Sequence, residues 1–172
     1  DPYIDRDINY ENGLFISRQD IQEVEGSWDL IMFHHSFEHM KDPLKVLQSV
    51  SKLLNSGGSC LIRIPLVSSL AWEDYGVHWV QLDAPRHFFL HSLDSLKILV
   101  RKEKFHIEDI IFDSDELQFW GSEQYKKDIS LKSEKSYSVN PAQSIFSQKQ
   151  IDQFRKKAEQ LNLDARGDQA VF

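Results

Sequence analysis

The sequence is poor in cysteine and has no long apolar run. Cys60 is the only cysteine among the 172 residues, so an intrachain disulfide is excluded. It lies in a short apolar segment, where a buried free thiol is the usual state, and this fits a reducing compartment. No apolar stretch reaches the roughly 20 residues that span a bilayer, and the first residues, Asp1-Pro2-Tyr3, have no signal-peptide character. We therefore expect a cytoplasmic protein without a membrane partner.

Basic residues are also in deficit. Lysine and arginine together number 20, against 27 aspartate and glutamate residues, and the net charge is -7. A protein that binds duplex nucleic acid usually presents a basic face. The short basic pairs Lys126-Lys127 and Lys156-Lys157 are typical of solvated helix surfaces instead. The balance favours a small-molecule or protein partner and argues against nucleic acid.

The first half of the sequence contains one well-marked strand–helix–strand unit. Residues 28–34 predict a strand, and its apolar centre indicates that both faces are covered. Asp42 is a typical helix N-cap, Pro43 suits the first helical position, and apolar residues then recur at helical spacing. Gly57-Gly58 is predicted to end this helix through a positive-φ residue, before a strand at 60–64. Such a crossover unit indicates an α/β fold with a parallel sheet.

The other elements are predicted from shorter signals. Capping residues, apolar periodicity and turn residues mark their approximate bounds. They are strands at 13–17, 105–112 and 167–172, helices that begin after Ser92 and after Ser147, and a polar insertion or mobile flap from Asp113 to about residue 146.

Three sequence features occur in order: the string WDLIMFHHSFEHM at 28–40, the pair Asp42-Pro43, and the corner LLNSGG at 53–58. Together they resemble the class I S-adenosylmethionine-dependent methyltransferases, and most closely the branch that acts on small molecules. The resemblance implies a Rossmann-like, three-layer α/β sandwich. Its sheet is expected to be mostly parallel, with a C-terminal antiparallel strand. S-adenosylmethionine is the implied cofactor.

On this resemblance, residues 1–172 form part of one methyltransferase domain. The family's first strand and glycine-rich turn have no match, because Gly26 and Gly121 are isolated. We expect both upstream of Asp1, and we expect residues 1–172 alone to be inactive. The parts of the domain are the cofactor-side elements at 1–65, the acceptor-site loop at 66–91, and the C-terminal helices and strands at 92–172 with an insertion at about 113–146.

The resemblance also implies a set of cofactor-binding residues. Asp1 matches the acidic residue that holds the ribose hydroxyls, and Asp20 matches the one that bonds the adenine amino group, with Ile21 beside it. His34 and His35 follow the central strand, where open α/β sheets place their ligands. The competing interpretations are a disordered terminus for Asp1 and a helix cap for Asp20.

Histidines are the candidate catalytic bases, since a nucleophile that carries a proton must lose it. We predict His35 as the site-facing base, against a structural role, and His87 as a second candidate. His35, Glu38 and His39 resemble the Glu-x-x-Glu-His pattern of metal-binding ubiquinone-pathway O-methyltransferases and small-RNA methyltransferases, with His in the first place. The competing interpretation, that Glu38 and His39 brace the following helix, is favoured, so no metal is predicted.

Trp72, Trp79 and Arg86 are the predicted acceptor-binding residues. They fall in the loop where this family builds its acceptor pocket, and residues 81–89 resemble a stretch in bacterial methyltransferases of polysaccharide and secondary-metabolite clusters. Aromatic rings can face a sugar or an apolar ring, and a guanidinium can hold a carboxylate or phosphate. The competing interpretation is a buried aromatic lid with Arg86 in an ion pair.

These observations predict a bacterial enzyme that transfers methyl from S-adenosylmethionine to a small-molecule acceptor. The favoured acceptor atom is an oxygen of a saccharide, lipid or secondary metabolite. Two alternatives stay open: a metal-dependent RNA methyltransferase, and a degenerate, non-catalytic binding module. A homodimer is compatible with the sequence.

Overall fold

The computed structural model describes residues 2–172, so Asp1, the predicted ribose-binding residue, lies outside the described residues. Short strands and five α-helices follow one another along these residues. The strands are β1 (Ile8–Asn9), β2 (Phe15–Ile16), β3 (Trp28–His34), β4 (Leu54–Pro65), β5 (Ile111–Phe112) and β6 (Gln169–Val171), and the helices are α1 (Pro43–Leu53), α2 (Leu70–Tyr75), α3 (Leu93–Lys102), α4 (Leu117–Tyr125) and α5 (Gln148–Leu163), with 3-10 turns at Ile21–Glu23, Phe37–His39, Gly76–His78, Val80–Leu82 and Pro141–Gln143.

The main sheet has four strands in the order β3-β4-β6-β5. β3 and β4 are parallel and are connected by α1, which is the predicted strand–helix–strand unit. β6 lies between β4 and β5 and is antiparallel to both. The predicted Rossmann-like α/β fold, with its antiparallel C-terminal strand, is therefore confirmed.

The segment at 13–17 is not part of this sheet. β2 pairs with β1 in a separate antiparallel hairpin of two strands. Leu14 and Phe15 are 57% and 55% exposed, because the hairpin lies outside the main core. The predicted strand at 13–17 is therefore confirmed over Phe15–Ile16, but it lies outside the main sheet.

Two helices cover one face of the main sheet. Leu47 and Val50 of α1 and Leu96 and Val100 of α3 pack in one buried cluster with Ile62 of β4. These are the apolar positions that recur at helical spacing in the sequence, so the predicted buried faces of both helices are confirmed.

The predicted helix caps are also confirmed. The Asp42 side chain accepts the Lys45 N–H at 3.1 Å, at the start of α1. Ser92 and Ser147 each close a capping box, at the starts of α3 and α5. Within residues 2–172, none of the helices combines the length and apolarity needed to cross a membrane.

The opposite face of β3 is open to solvent. Leu30 and Met32 are 51% and 62% exposed, whereas Phe33 is buried. Side chains alternate between the two faces of a strand, so Phe33 lies on the face that packs with α1, and Leu30 and Met32 lie on the open face. The prediction that β3 is covered on both faces is wrong.

Gly57-Gly58 lies inside β4 and does not end α1. The helix ends at Leu53, and the next residue is already extended. Gly57 has the predicted positive φ, 80°, but it lies where β4 shifts register against β3, between Trp28 and Leu30. A Cβ on Gly58 would stand 3.1 Å from three backbone oxygens. The pair therefore allows close approach of two strands, and the predicted helix end is wrong.

The C-terminal half differs from prediction at two places. Of residues 105–112, only Ile111–Phe112 pair as a strand. The segment at 113–146 contains α4, with Phe119 and Trp120 buried. Because α4 is buried on several sides, it lacks the amphipathic period that marks a surface helix. Part of the predicted insertion is therefore a buried helix, and the insertion at about 113–146 itself stays a prediction.

Candidate functional site

A wide cleft of about 1190 Å³ runs along β3 to the turn that follows it. Ser36 and His39 border the cleft from this turn. Asp20 and Ile21 border it from the turn that follows β2. Open α/β sheets hold their ligands outside the carboxyl ends of their strands, which is where this cleft reaches. Two of the predicted cofactor residues therefore share one ligand-sized space.

Asp20 caps a 3-10 turn and borders the cleft at the same time. Its Oδ1 accepts the Gln22 N–H at 3.1 Å, and its own N–H donates to Glu23 Oε2 at 2.9 Å. The competing interpretation as a cap is thus observed. The Asp20 side chain also accepts the Glu23 N–H in a capping box. The two oxygens of a carboxylate together offer about four acceptor sites, so capping is compatible with ligand binding.

His34 and His35 turn toward Arg63 and do not border the wide cleft. Arg63 Nη1 lies 3.2 Å from His34 Nε2 and 2.6 Å from His35 Nε2. Because a guanidinium can only donate, both rings accept at Nε2 in these hydrogen bonds. The His35 backbone has a positive φ of 48°, and its N–H donates to the Arg63 carbonyl at 2.9 Å. Cofactor contact by these two histidines stays a prediction.

Glu38 is a buried carboxylate among histidines. It is 1% exposed, and neither side-chain oxygen has a hydrogen-bond partner among residues 2–172. Its Oε1 lies 3.5 Å from His35 Nδ1 and 4.0 Å from His87 Nε2. Burial of an unsatisfied carboxylate is costly, so this residue is held here at the expense of stability. Such a group is typical of a functional site.

The rings of His39 and His87 are both fixed through Nδ1. These nitrogens lie 3.0 Å from the Arg86 carbonyl oxygen and 2.9 Å from the Gln81 carbonyl oxygen, respectively. A carbonyl can only accept, so each ring carries a proton on Nδ1 and, when neutral, a lone pair on Nε2. Burial lowers the pKa of His87, which favours its neutral form.

Glu38, His39 and His87 are the residues whose arrangement can hold a metal ion. One ligand atom from each lies within 4.8 Å of the others. Histidines that ligate a metal usually donate their other ring N–H to a carbonyl or carboxylate, as both rings do here. The fold thus adds His87 to the spacing found in the sequence, while His35 turns to Arg63. The absence of a metal stays a prediction.

A second, smaller pocket borders His35, and we call it the polar pocket. Its volume is about 180 Å³. His35 borders the polar pocket and Ser36 borders the wide cleft, so two neighbouring residues of the turn after β3 line two different cavities. The residues that line the polar pocket are His35, Arg63, Gln81, Asp115, Leu117, Gln118, Asp168 and Gln169.

The three predicted acceptor residues occupy different places. Trp79 is fully buried, and its Nε1–H donates to Asp168 Oδ2 at 2.9 Å, so it supports the polar pocket from behind. Trp72 packs edge-on against Trp79, with ring centroids 5.9 Å apart. Arg86 borders the wide cleft and pairs with Asp83 at 2.6 Å. The aromatic packing and the ion pair of the competing interpretation are therefore observed, and acceptor contact by Trp72, Trp79 and Arg86 stays a prediction.

A family comparison agrees with this architecture. The family model described as "Methyltransferase domain" matches residues 4–109, more than half of the chain. The chain belongs to this methyltransferase family. The resemblance inferred from residues 28–58 is thereby confirmed. No curated protein matches the sequence.

Solved structures of methyltransferases share the fold. A methyltransferase from Thermotoga maritima, titled as a possible histamine N-methyltransferase, is 12% identical with a TM-score of 0.55, and the match covers 94% of this chain and 63% of that one. An S-adenosylmethionine-dependent methyltransferase from Archaeoglobus fulgidus is 18% identical with a TM-score of 0.51, and the match covers 94% of this chain and 66% of that one. One from Mesorhizobium loti is 13% identical with a TM-score of 0.52, and the match covers 95% of this chain and 69% of that one. At these identities the likeness shows the fold. The chain described here spans about two thirds of the length of these three proteins.

Sequence reasoning missed three residues of the polar pocket: Arg63, Gln118 and Asp168. Arg63 has one sequence signal, because it is the charged residue within the apolar strand at 60–64. Gln118 lies in the segment that was predicted as a flap, and Asp168 in the predicted last strand. Only the tertiary fold brings these side chains together.

Proposed function

We propose that this methyltransferase uses S-adenosylmethionine to methylate a small molecule. The observation that carries the proposal is that Asp20, Ile21 and Ser36 border one cleft along β3 in a chain of this family. The Asp20 carboxylate suits the adenine amino group as an acceptor, and Ile21 offers apolar contact to the base. The cleft is as large as pockets that enclose a cofactor.

The acceptor enters, in this proposal, from the polar pocket, and His35 is its base. The His35 side chain is 31% exposed, and the ring lines the pocket. Its Nε2 takes the proton of the nucleophile as the Arg63 hydrogen bond is released. The nucleophile then bonds to the methyl carbon, the carbon–sulfur bond breaks, and the donor leaves as a neutral thioether. The favoured nucleophile is a hydroxyl oxygen, with nitrogen as the alternative.

In this proposal His87 is not the base that contacts the acceptor, because its side chain is only 6% exposed. It acts through Glu38, which lies between the two histidines and stabilises positive charge on His35. Direct proton transfer from the acceptor to His87 would need an opening of this buried cluster.

The charges at the wide cleft support a small-molecule acceptor over RNA. Lys41 and Arg86 border the cleft, and Asp20 and Asp42 offset them. An RNA groove would carry an excess of basic side chains.

Calorimetric titration of the full-length protein with S-adenosylhomocysteine, and then with S-adenosylmethionine, tests the proposal. We expect saturable heats for both, together with a rise in the unfolding midpoint of the chain, because a ligand of the native state stabilises it. If neither ligand gives heat or a midpoint change, the donor assignment is wrong.

A further inference from the structure

The polar pocket carries more negative than positive charge. Asp115 and Asp168 border it, together with one permanent cation, Arg63. The guanidinium is already paired with Asp113, with Nε 2.6 Å from Oδ2. In the described part of the chain, neither Asp115 nor Asp168 takes part in an ion pair. Asp168 is therefore a buried carboxylate without an ion pair in this part of the chain, whereas Asp115 is exposed to solvent and its Oδ1 accepts the Leu117 N–H at 2.8 Å.

The hydrogen bonds of the pocket point to a missing donor. Gln118 is 1% exposed, and its Nε2 donates to the Asp115 carbonyl at 3.0 Å. Its Oε1 is buried and has no hydrogen-bond partner in residues 2–172. Buried acceptors are normally satisfied, and an unsatisfied one is costly. A ligand with N–H or O–H groups would satisfy this oxygen.

The position of Asp168 strengthens the case for a charged ligand. It is 2% exposed, and its Oδ2 accepts the Trp79 Nε1–H. A buried carboxylate gains most from a cation that is buried with it, because the surroundings screen their attraction poorly.

We propose that the polar pocket binds an ammonium group of the acceptor, so that the substrate is a small amine. An ammonium group supplies both a positive charge for Asp168 and an N–H donor for Gln118 Oε1. A neutral hydroxyl supplies only the donor, and an anion would be repelled by Asp115 and Asp168. The volume suits a group of a few heavy atoms, so the rest of the acceptor extends toward His35. The inference rests on the proposed function, because it names the substrate class of that reaction.

Ethanolamine and ethylene glycol are matched probes for this pocket, since they have equal numbers of heavy atoms and differ in charge. Each is titrated into the isotope-labelled 172-residue chain, with and without S-adenosylhomocysteine, and followed by NMR. We expect ethanolamine to bind about tenfold more tightly or better, and to shift the side-chain amide of Gln118. Equal affinity for the two probes, or no binding of either, overturns the proposal.

Two substitutions locate the binding. Asp168→Asn and Gln118→Leu each lower the affinity for ethanolamine, Asp168→Asn by about tenfold through lost charge. Asp164→Asn and Gln160→Leu make the same chemical changes at exposed positions and leave the affinity unchanged. Thermal melts confirm that each variant is folded. If a pocket variant does not fold, the wild-type preference between the probes and the Gln118 shift decide the question; if both fold and bind as wild type, the proposal is wrong.

Failure of this inference is distinguishable from failure of the proposed function. A chain that binds S-adenosylhomocysteine but does not prefer ethanolamine keeps its donor site and loses the ammonium site. A chain that prefers ethanolamine at Gln118 but does not bind S-adenosylhomocysteine keeps the ammonium site and loses the donor assignment.

Discussion

The wide cleft and the polar pocket border neighbouring residues of one turn, yet their acidic side chains differ in exposure to solvent. At the cleft, Asp20 and Asp42 are side chains that cap helical turns and remain accessible to solvent. In the polar pocket, Asp168 is 2% exposed and Gln118 is 1% exposed. A solvated carboxylate costs little, whereas a buried one must be supported by the fold. The cleft therefore suits a methyl donor that is bound by exposed side chains of nearby loops. The polar pocket suits a polar group of the acceptor that becomes buried when it binds.

The largest expected effect concerns the buried carboxylate of the pocket. Burial raises the pKa of Asp168 from 3.8 to about 6, so the folded chain binds this proton more tightly than the unfolded chain. The resulting stability is fully present below pH 3.8 and is lost as the pH rises through 6. Asp168→Asn removes this dependence, which is on the order of 3 kcal/mol. Urea unfolding at pH 4 and pH 7 measures it.

The expected sign is specific. Relative to Asp168→Asn, the wild type loses free energy of unfolding as the pH rises from 4 to 7. The exposed control, Asp164→Asn, follows the wild type throughout. A wild type that gains stability over Asp168→Asn across this range contradicts the buried, high-pKa carboxylate.

A somewhat smaller effect is expected at the cleft. Asp20→Ala removes a charge-assisted hydrogen bond to the donor, and we expect S-adenosylhomocysteine affinity to fall by about 2 kcal/mol, or roughly thirtyfold. Ser92→Ala is the matched control, because it removes a helix cap that lies away from the cleft. Calorimetry measures both. An equal loss of S-adenosylhomocysteine affinity in the two variants would show that Asp20 acts only as a helix cap.

A third comparison uses two arginines with opposite surroundings. Arg63 is part-buried, with its Nε bonded to Asp113 and its Nη1 to two histidines, so Arg63→Ala should lower the free energy of unfolding by about 1–2 kcal/mol. Chemical denaturation of the variant and the wild type measures the change. A stability equal to wild type would mean that these bonds do not hold the pocket together.

The smallest effect is expected for Arg86. Its side chain is 73% exposed and pairs with Asp83 on the surface, so Arg86→Ala should leave the unfolding midpoint unchanged. Differential scanning calorimetry checks this. A clear drop in the midpoint would show that the ion pair supports the loop at the cleft.

The same contrast explains what could be predicted from the sequence. The helix caps Asp42 and Ser92 and the strand at 28–34 depend on local signals, and the structure confirms them. The polar pocket depends on contacts between distant segments, such as the Trp79–Asp168 hydrogen bond, for which local sequence carries no signal.

Two kinds of pattern were misleading for physical reasons. The Gly57-Gly58 pair resembles a helix end, but it relieves close contact between strands. α4 has no amphipathic period because it is buried, and the segment around it is polar, so the whole segment resembles a loop in sequence. In both cases tertiary packing, rather than local preference, decides the conformation.

The most direct test of the account is a two-ligand NMR titration of the chain. S-adenosylhomocysteine should shift the backbone amides at 20–22, 36 and 39–41, which border the wide cleft, and ethanolamine should then shift those at 117–118 and 168–169. This result would show a donor site and an acceptor site in two different cavities. Shifts of the same amides by both ligands, or no shift with S-adenosylhomocysteine, would contradict the account.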